Sequence, residues 1–146
     1  MMRTMKPRYA FLLAMTLACT TAHADGVRPA DTRINLNLTP EERAVFLADM
    51  RSMLASIQGV MQGIGESDRE RIAAAARQSG NRMARATPAS IRAKTPQAFR
   101  DIGGPTHMLF EELAVRAQTD DMDSLTRDTA NLMNQCMACH ATFRVH

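Results

Sequence analysis

Tryptophan is absent from this 146-residue sequence, tyrosine occurs once, and five phenylalanines bring the aromatic share to only 4%. A core built on large aromatic side chains is therefore excluded, and the 12 methionines offer a soft, adaptable interior in its place. Long apolar runs are also missing. The compact apolar stretch at residues 10–18 is too short to cross a bilayer, and no later segment approaches the roughly 20 apolar residues a membrane-spanning helix needs. Cysteine is scarce: outside the N-terminal stretch that holds Cys19 there are only Cys136 and Cys139. A structural zinc site would need two further ligands at useful spacing, and no third cysteine supplies one. No Ser/His/Asp set and no paired carboxylates stand out, so an enzyme is not expected.

The N-terminus carries the marks of export. Arg3, Lys6 and Arg8 precede the apolar stretch, and Ala22-His23-Ala24 forms an A-x-A cleavage site, so residues 1–24 read as a signal peptide and the mature chain begins at Asp25. Cys19 offers a rival outcome, a lipidated cysteine, but Thr16 stands three residues before it where such sites usually have leucine, and lipid anchoring is not expected. Loss of the three leader cations lowers Lys plus Arg from 18 to 15 against 15 Asp plus Glu. A formally neutral mature chain gives no support for nucleic-acid binding.

What is present is concentrated near the C-terminus. Cys136-Met137-Ala138-Cys139-His140 is C-x-x-C-H, the attachment signature of a c-type haem. The two-residue gap lets both thiols add to vinyl groups of one porphyrin from a single helical turn, and His140 can present its imidazole to the iron. The competing reading, a redox dithiol, would sit early and after a strand, whereas this motif ends six residues from the C-terminus. Haem attachment takes place outside the bacterial cytoplasm, which agrees with an export signal and points to the periplasm.

Between leader and motif the pattern is helical. Residues 25–38 read as an extended arm with Ile34, Leu36 and Leu38 alternating toward the domain. Thr39-Pro40-Glu41-Glu42 is a capping box, and Phe46, Met50, Met53, Ile57, Val60 and Ile64 then form an inward seam at spacings of four and three, with Gly63 and Gly65 expected to end the helix. Ser67-Asp68-Arg69-Glu70 predicts a second capping box and an alanine-rich second helix, stopped near Ser79-Gly80-Asn81. Residues 86–104, punctuated by prolines and glycines, read as a long connection with short helical pieces, covering one edge of a cofactor. A third helix is expected over residues 105–118, with Pro105 first, His107 near its opening, and Glu111 and Glu112 facing solvent near its positive end. Asp120 and Asp121 cap a fourth helix whose seam runs through Leu125, Thr129, Leu132, Cys136, Cys139 and Phe143. The expected fold is thus all-α, an antiparallel four-helix bundle over residues 39–146 with haem attached near the C-terminus of the last helix.

With its motif at the end rather than the beginning, the chain resembles the class II c-type cytochromes, the cytochromes c prime and their low-spin, methionine-ligated relatives. The likeness runs from about residue 36 to residue 144, and its most specific part is the ending Cys136-Met137-Ala138-Cys139-His140-Ala141-Thr142-Phe143-Arg144, similar to the family's C-x-x-C-H-x-x-[YF]-R. The resemblance implies one covalent haem c, an axial His140, and either electron transfer or diatomic-gas binding. It also implies a distal ligand from the first helix, Met50 ahead of Met53, because Asp49-Met50-Arg51 stands where cytochromes c prime usually carry an arginine and a non-ligating apolar residue. Met61 and His107 are weaker ligand candidates. Arg144, one turn past His140, can pair with a haem propionate or remain solvated, and Arg51 has the same ambiguity. The expected role is that of an electron carrier between periplasmic or membrane-bound redox proteins. The alternative is a five-coordinate cytochrome c prime that binds nitric oxide or carbon monoxide. Relatives often dimerise through the first two helices, and the small side chains of the second helix suit a homodimer here.

Overall fold

Thr39 Oγ1 accepts the N–H of Glu42 at 3.3 Å while Glu42 Oε2 accepts the N–H of Thr39 at 2.9 Å, so the capping box forms as its sequence dictates. It opens α1 (Pro40–Glu66) in the computed structural model, which describes residues 30–146. The leader, Cys19 and residues 25–29 of the arm lie outside the described residues. Replacing Thr39 by alanine orphans one N–H and should lower stability by about 1 kcal/mol. A urea titration should register it as a lower midpoint at unchanged slope.

α1 does not stop at its glycines. It runs through Gly63 and Gly65 to Ser67, whose left-handed backbone (φ 56°) turns the chain, with the N–H groups of Ser67 and Asp68 returning to the carbonyls of Ile64 and Gly63. Gly63 serves packing instead: a Cβ there would fall 2.7 Å from Ile72 Cγ1, and one at Gly59 would fall 2.8 Å from Ala75 Cβ. These small positions let α2 (Arg69–Gln78) lie close against α1. Because Ser67 is consumed as the terminator of α1, the cap of α2 moves to Asp68, whose Oδ1 accepts the Arg71 N–H at 2.9 Å.

The long connection expected at residues 86–104 does hold a short helical piece, but it ends at residue 96 rather than 104. After α3 (Asn81–Ala86) and α4 (Ala89–Lys94), α5 (Gln97–Arg116) begins eight residues before Pro105 and carries that proline in its interior. Proline there lacks an N–H and crowds the Asp101 carbonyl. Two things hold the first turns helical regardless. Phe99 and Ile102 pack against buried Ile91, Leu36, Leu38 and Phe143, and Thr106 Oγ1 donates to the Ile102 carbonyl at 2.8 Å. Glu111 and Glu112 are consequently in the second half of α5, not near its positive end. Glu111 Oε2 instead accepts the Asn81 N–H at 3.1 Å, placing a negative charge at the start of α3.

Asp121 caps α6 (Met122–Thr142), its carboxylate accepting the Ser124 N–H at 2.7 Å and hydroxyl at 2.8 Å, and these bonds hold the carboxyl below its ordinary range. α1 packs on α2 and α6, and α5 packs on the same two. Between them lies the main core, in which Phe110, Ile72, Val60, Leu125 and Leu132 are fully buried. The arm lies on the domain as expected through Leu36 and Leu38 but not through Ile34: β1 (Ile34–Asn35) pairs in parallel with β2 (Phe143–Arg144), Leu36 and Leu38 are buried, and Ile34 is exposed. This pairing closes a second, smaller apolar cluster of Leu36, Leu38, Ile91 and Phe143 at the C-terminal end of α6. Among the described residues no helix is long and apolar enough to cross a membrane.

Candidate functional site

The C-x-x-C-H motif occupies the last turns of α6, where the helix passes from one core to the other. Cys136 packs against the main core, and its Sγ lies 3.9 Å from the Leu132 carbonyl. Cys139, one turn on, packs against the second cluster. Both thiols are free and half-buried. Desolvation pushes both above the ordinary thiol range, and for Cys139 the neighbouring Cys136 adds to it. A redox dithiol needs the reverse, a thiol lowered by a helix N-terminus or a nearby cation. Position at a helix C-terminus and burial together disfavour that chemistry.

Beside Cys139 opens a groove of about 240 Å³, bounded by the arm, the first turns of α1, the start of α5 and the chain end after α6. It brings together four of the residues singled out in the sequence: Met50, Cys139, His140 and Arg144. Three phenylalanines also line it, and they touch one another. The rings of Phe46 and Phe99 are 5.8 Å apart and those of Phe99 and Phe143 are 5.3 Å apart, the latter edge to face. Most of the aromatic surface of the domain is therefore gathered at this one place. Leu36, Leu47 and Val145 complete the apolar wall.

The polar part of the rim is cationic. Arg33 Nη1 donates to the His140 carbonyl at 3.2 Å, Arg144 Nε donates to the Arg33 carbonyl at 3.2 Å, and no Asp or Glu side chain is among the lining residues. His140 is exposed and its backbone is pinned by Arg33, so the arm and the motif are tied directly. His146 also lines the groove.

Other candidates fall elsewhere. Met53, one turn from Met50, packs against the main core rather than the groove. Met61 and Arg51 are exposed on α1 and are not among the lining residues. His107 lies in the middle of α5, where Nδ1 donates to the Ser79 carbonyl at 2.7 Å. Ser79 in turn shares a buried hydroxyl contact of 2.8 Å with Ser56. Burial raises the carboxyl of Asp49, and the electrostatic influence of His107 opposes this in part. Cys136 is absent from the lining but sits one turn before Cys139 on the same helix.

Arg33, Phe99, Leu47 and Val145 are lining residues that the sequence did not single out. Phe99 stands in the stretch whose sequence reads as a long connection with short helical pieces, and only the pairing of β1 with β2 brings Arg33 near. Among the described residues no cluster of three or more His, Cys, Asp or Glu side chains is placed to hold a metal ion. Comparison of the chain with family profiles, with curated proteins and with solved structures finds no match in any of the three. The functional reading therefore rests on these residues and their arrangement.

Proposed function

We propose that the protein is an exported monohaem c-type cytochrome that carries electrons between redox partners, with α1, α2, α5 and α6 as an antiparallel four-helix bundle. In this reading haem c is attached through Cys136 and Cys139 near the end of α6, His140 is the proximal ligand and Met50 the distal one. The observation that carries it is the groove, which gathers Met50, Cys139 and His140 among three phenylalanines beside two arginines. The residues present fit the group. A flat apolar macrocycle suits an aromatic wall, and its carboxylates suit a rim holding Arg33 and Arg144. One imidazole and one thioether are too few to cage a bare metal ion, yet they match an iron whose other four ligands come from a porphyrin. Two free thiols on successive turns, neither activated for disulfide exchange, suit thioether bonds.

Haem bound there would supply one-electron ferric–ferrous exchange. The chain's own residues set the conditions for it. The Met50 thioether would be a soft donor favouring the reduced state, the Arg33 bond to the His140 carbonyl ties the backbone of the motif to the arm, and Phe46, Phe99 and Phe143 exclude water. Export by the N-terminal signal places this chemistry in the periplasm, where haem attachment occurs.

Covalent attachment is tested by peroxidase-linked haem staining of the denatured protein after co-expression with haem-attachment machinery. The mature chain should stain, and Cys136→Ser/Cys139→Ser should lose the stain completely. A correctly exported wild-type protein that does not stain refutes the reading.

A further inference from the structure

Between Glu70 and Asp101 the chain carries seven cations, Arg71, Arg77, Arg82, Arg85, Arg92, Lys94 and Arg100, and no acidic residue at all. The rest of the mature chain carries eight cations against 15 acidic residues, so this is a local excess of positive charge that the fold must accommodate on its surface. Four of the seven are occupied within the chain. Arg71 pairs with Glu66 at 3.1 Å, Lys94 pairs with Glu42 at 2.5 Å, Arg92 donates to the Arg85 and Thr87 carbonyls, and Arg100 donates to Gln97 Oε1 at 2.8 Å. Arg77, Arg82 and Arg85 are exposed and have no carboxylate partner among the described residues. Arg82 and Arg85 are also three residues apart on α3, a like-charge spacing that costs helix stability rather than adding to it. The other end of the domain is handled differently, since Arg116 there is met by Asp120 at 2.7 Å and Asp128 at 3.1 Å.

We infer that Arg77, Arg82 and Arg85 form a docking surface for an acidic protein surface. This deepens the electron-carrier reading, on which it rests for the partner's role, by naming the partner's chemistry. The surface is linked to the site through α5: Arg77 stands two residues before Ser79, whose carbonyl holds His107 Nδ1, and His107 acts electrostatically on Asp49, the neighbour of the groove residue Met50. Guanidinium groups match carboxylates through two parallel hydrogen bonds, and an excess of one sign raises the rate of encounter with the opposite sign.

The observations favour a protein over a membrane or a nucleic acid. No large apolar side chain is exposed between residues 77 and 100, so nothing is offered for insertion below lipid headgroups. A long polyanion would extend toward Glu66, Asp68, Glu70, Asp120, Asp121 and Asp123 at the start of α2 and α6, whereas an acidic patch of limited size would not.

The test uses the mature, haem-loaded chain and a polyglutamate peptide as probe, with binding followed by calorimetry at low and at physiological salt. Wild type should bind with an affinity that falls steeply with salt. Arg77→Gln/Arg82→Gln/Arg85→Gln should bind about tenfold more weakly, as three exposed charge contacts would give, with circular dichroism reporting an unchanged fold. The control Arg127→Gln, on α6, should bind as wild type does. Equal weakening by the control, or none in the triple variant, overturns the assignment. So does tighter capture by phosphatidylglycerol-containing vesicles or by duplex DNA through the same arginines. A preparation that fails the haem stain but binds polyglutamate through these residues supports the surface while removing the cytochrome reading.

Discussion

Met50→Ala is expected to abolish the weak near-infrared charge-transfer band of thioether-ligated ferric haem, and Met53→Ala to leave it intact. The two methionines belong to one helical seam and differ by less than one turn, but they serve different surroundings. Met50 lines the groove with His140, while Met53 packs against the main core with Ile57 and Val60. Stability should respond in the opposite sense. Truncating Met53 removes packing from the core and should cost about 2 kcal/mol, whereas truncating Met50 widens a groove already open to solvent. Spectra of the oxidised proteins and urea titrations of both variants separate the roles. If Met53→Ala alone loses the band, the distal ligand moves by one turn. If the wild-type iron is high-spin and takes up carbon monoxide immediately on reduction, the sixth position is vacant and gas binding replaces electron transfer.

The parts of the fold set by local chemistry were legible before any coordinates. Thr39 and Glu42 needed only each other to cap α1, Asp121 needed only the next turn, and the alternation of Leu36 and Leu38 announced an arm with one buried face. What could not be read was set by neighbours distant in sequence. Gly63 looks like a helix stop by itself, and only the approach of Ile72 makes it a packing residue. Pro105 looks like a helix start, and only the burial of Phe99 and Ile102 carries the helix upstream of it. The candidate site divides in the same way. Cys136, Cys139 and His140 declare themselves by spacing, and Met50 by its place on a seam. Arg33 carries no local signal, since it reaches His140 through a strand pairing across more than 100 residues of chain.

Gly63→Ala and Gly65→Ala, the same substitution two residues apart on the same helix, should change stability in opposite directions. In an exposed helix interior, replacing glycine by alanine normally adds about 0.5–1 kcal/mol, because glycine loses more backbone freedom on folding. Gly65 is exposed in the last turn of α1 and a Cβ there has nothing within 4 Å, so its gain should lie at the lower end of that range. At Gly63 the new carbon would sit 2.7 Å from Ile72 Cγ1, 3.0 Å from Ile72 N and 3.1 Å from Asp68 O. A flexible side chain could move aside, but two of these three atoms are backbone. They are joined to each other by the Ile72 N–H bond to the Asp68 carbonyl at 3.1 Å, and Asp68 is bound in turn to the Gly63 carbonyl at 2.8 Å. Relief therefore requires α2 to shift away from α1, loosening Ile72, which is fully buried in the main core. Overpacking of this kind costs about 1–3 kcal/mol, enough to outweigh the backbone gain. Urea midpoints of the two variants should fall on either side of wild type at a common slope. A stabilised Gly63→Ala would mean that α1 and α2 are not in close contact at this turn.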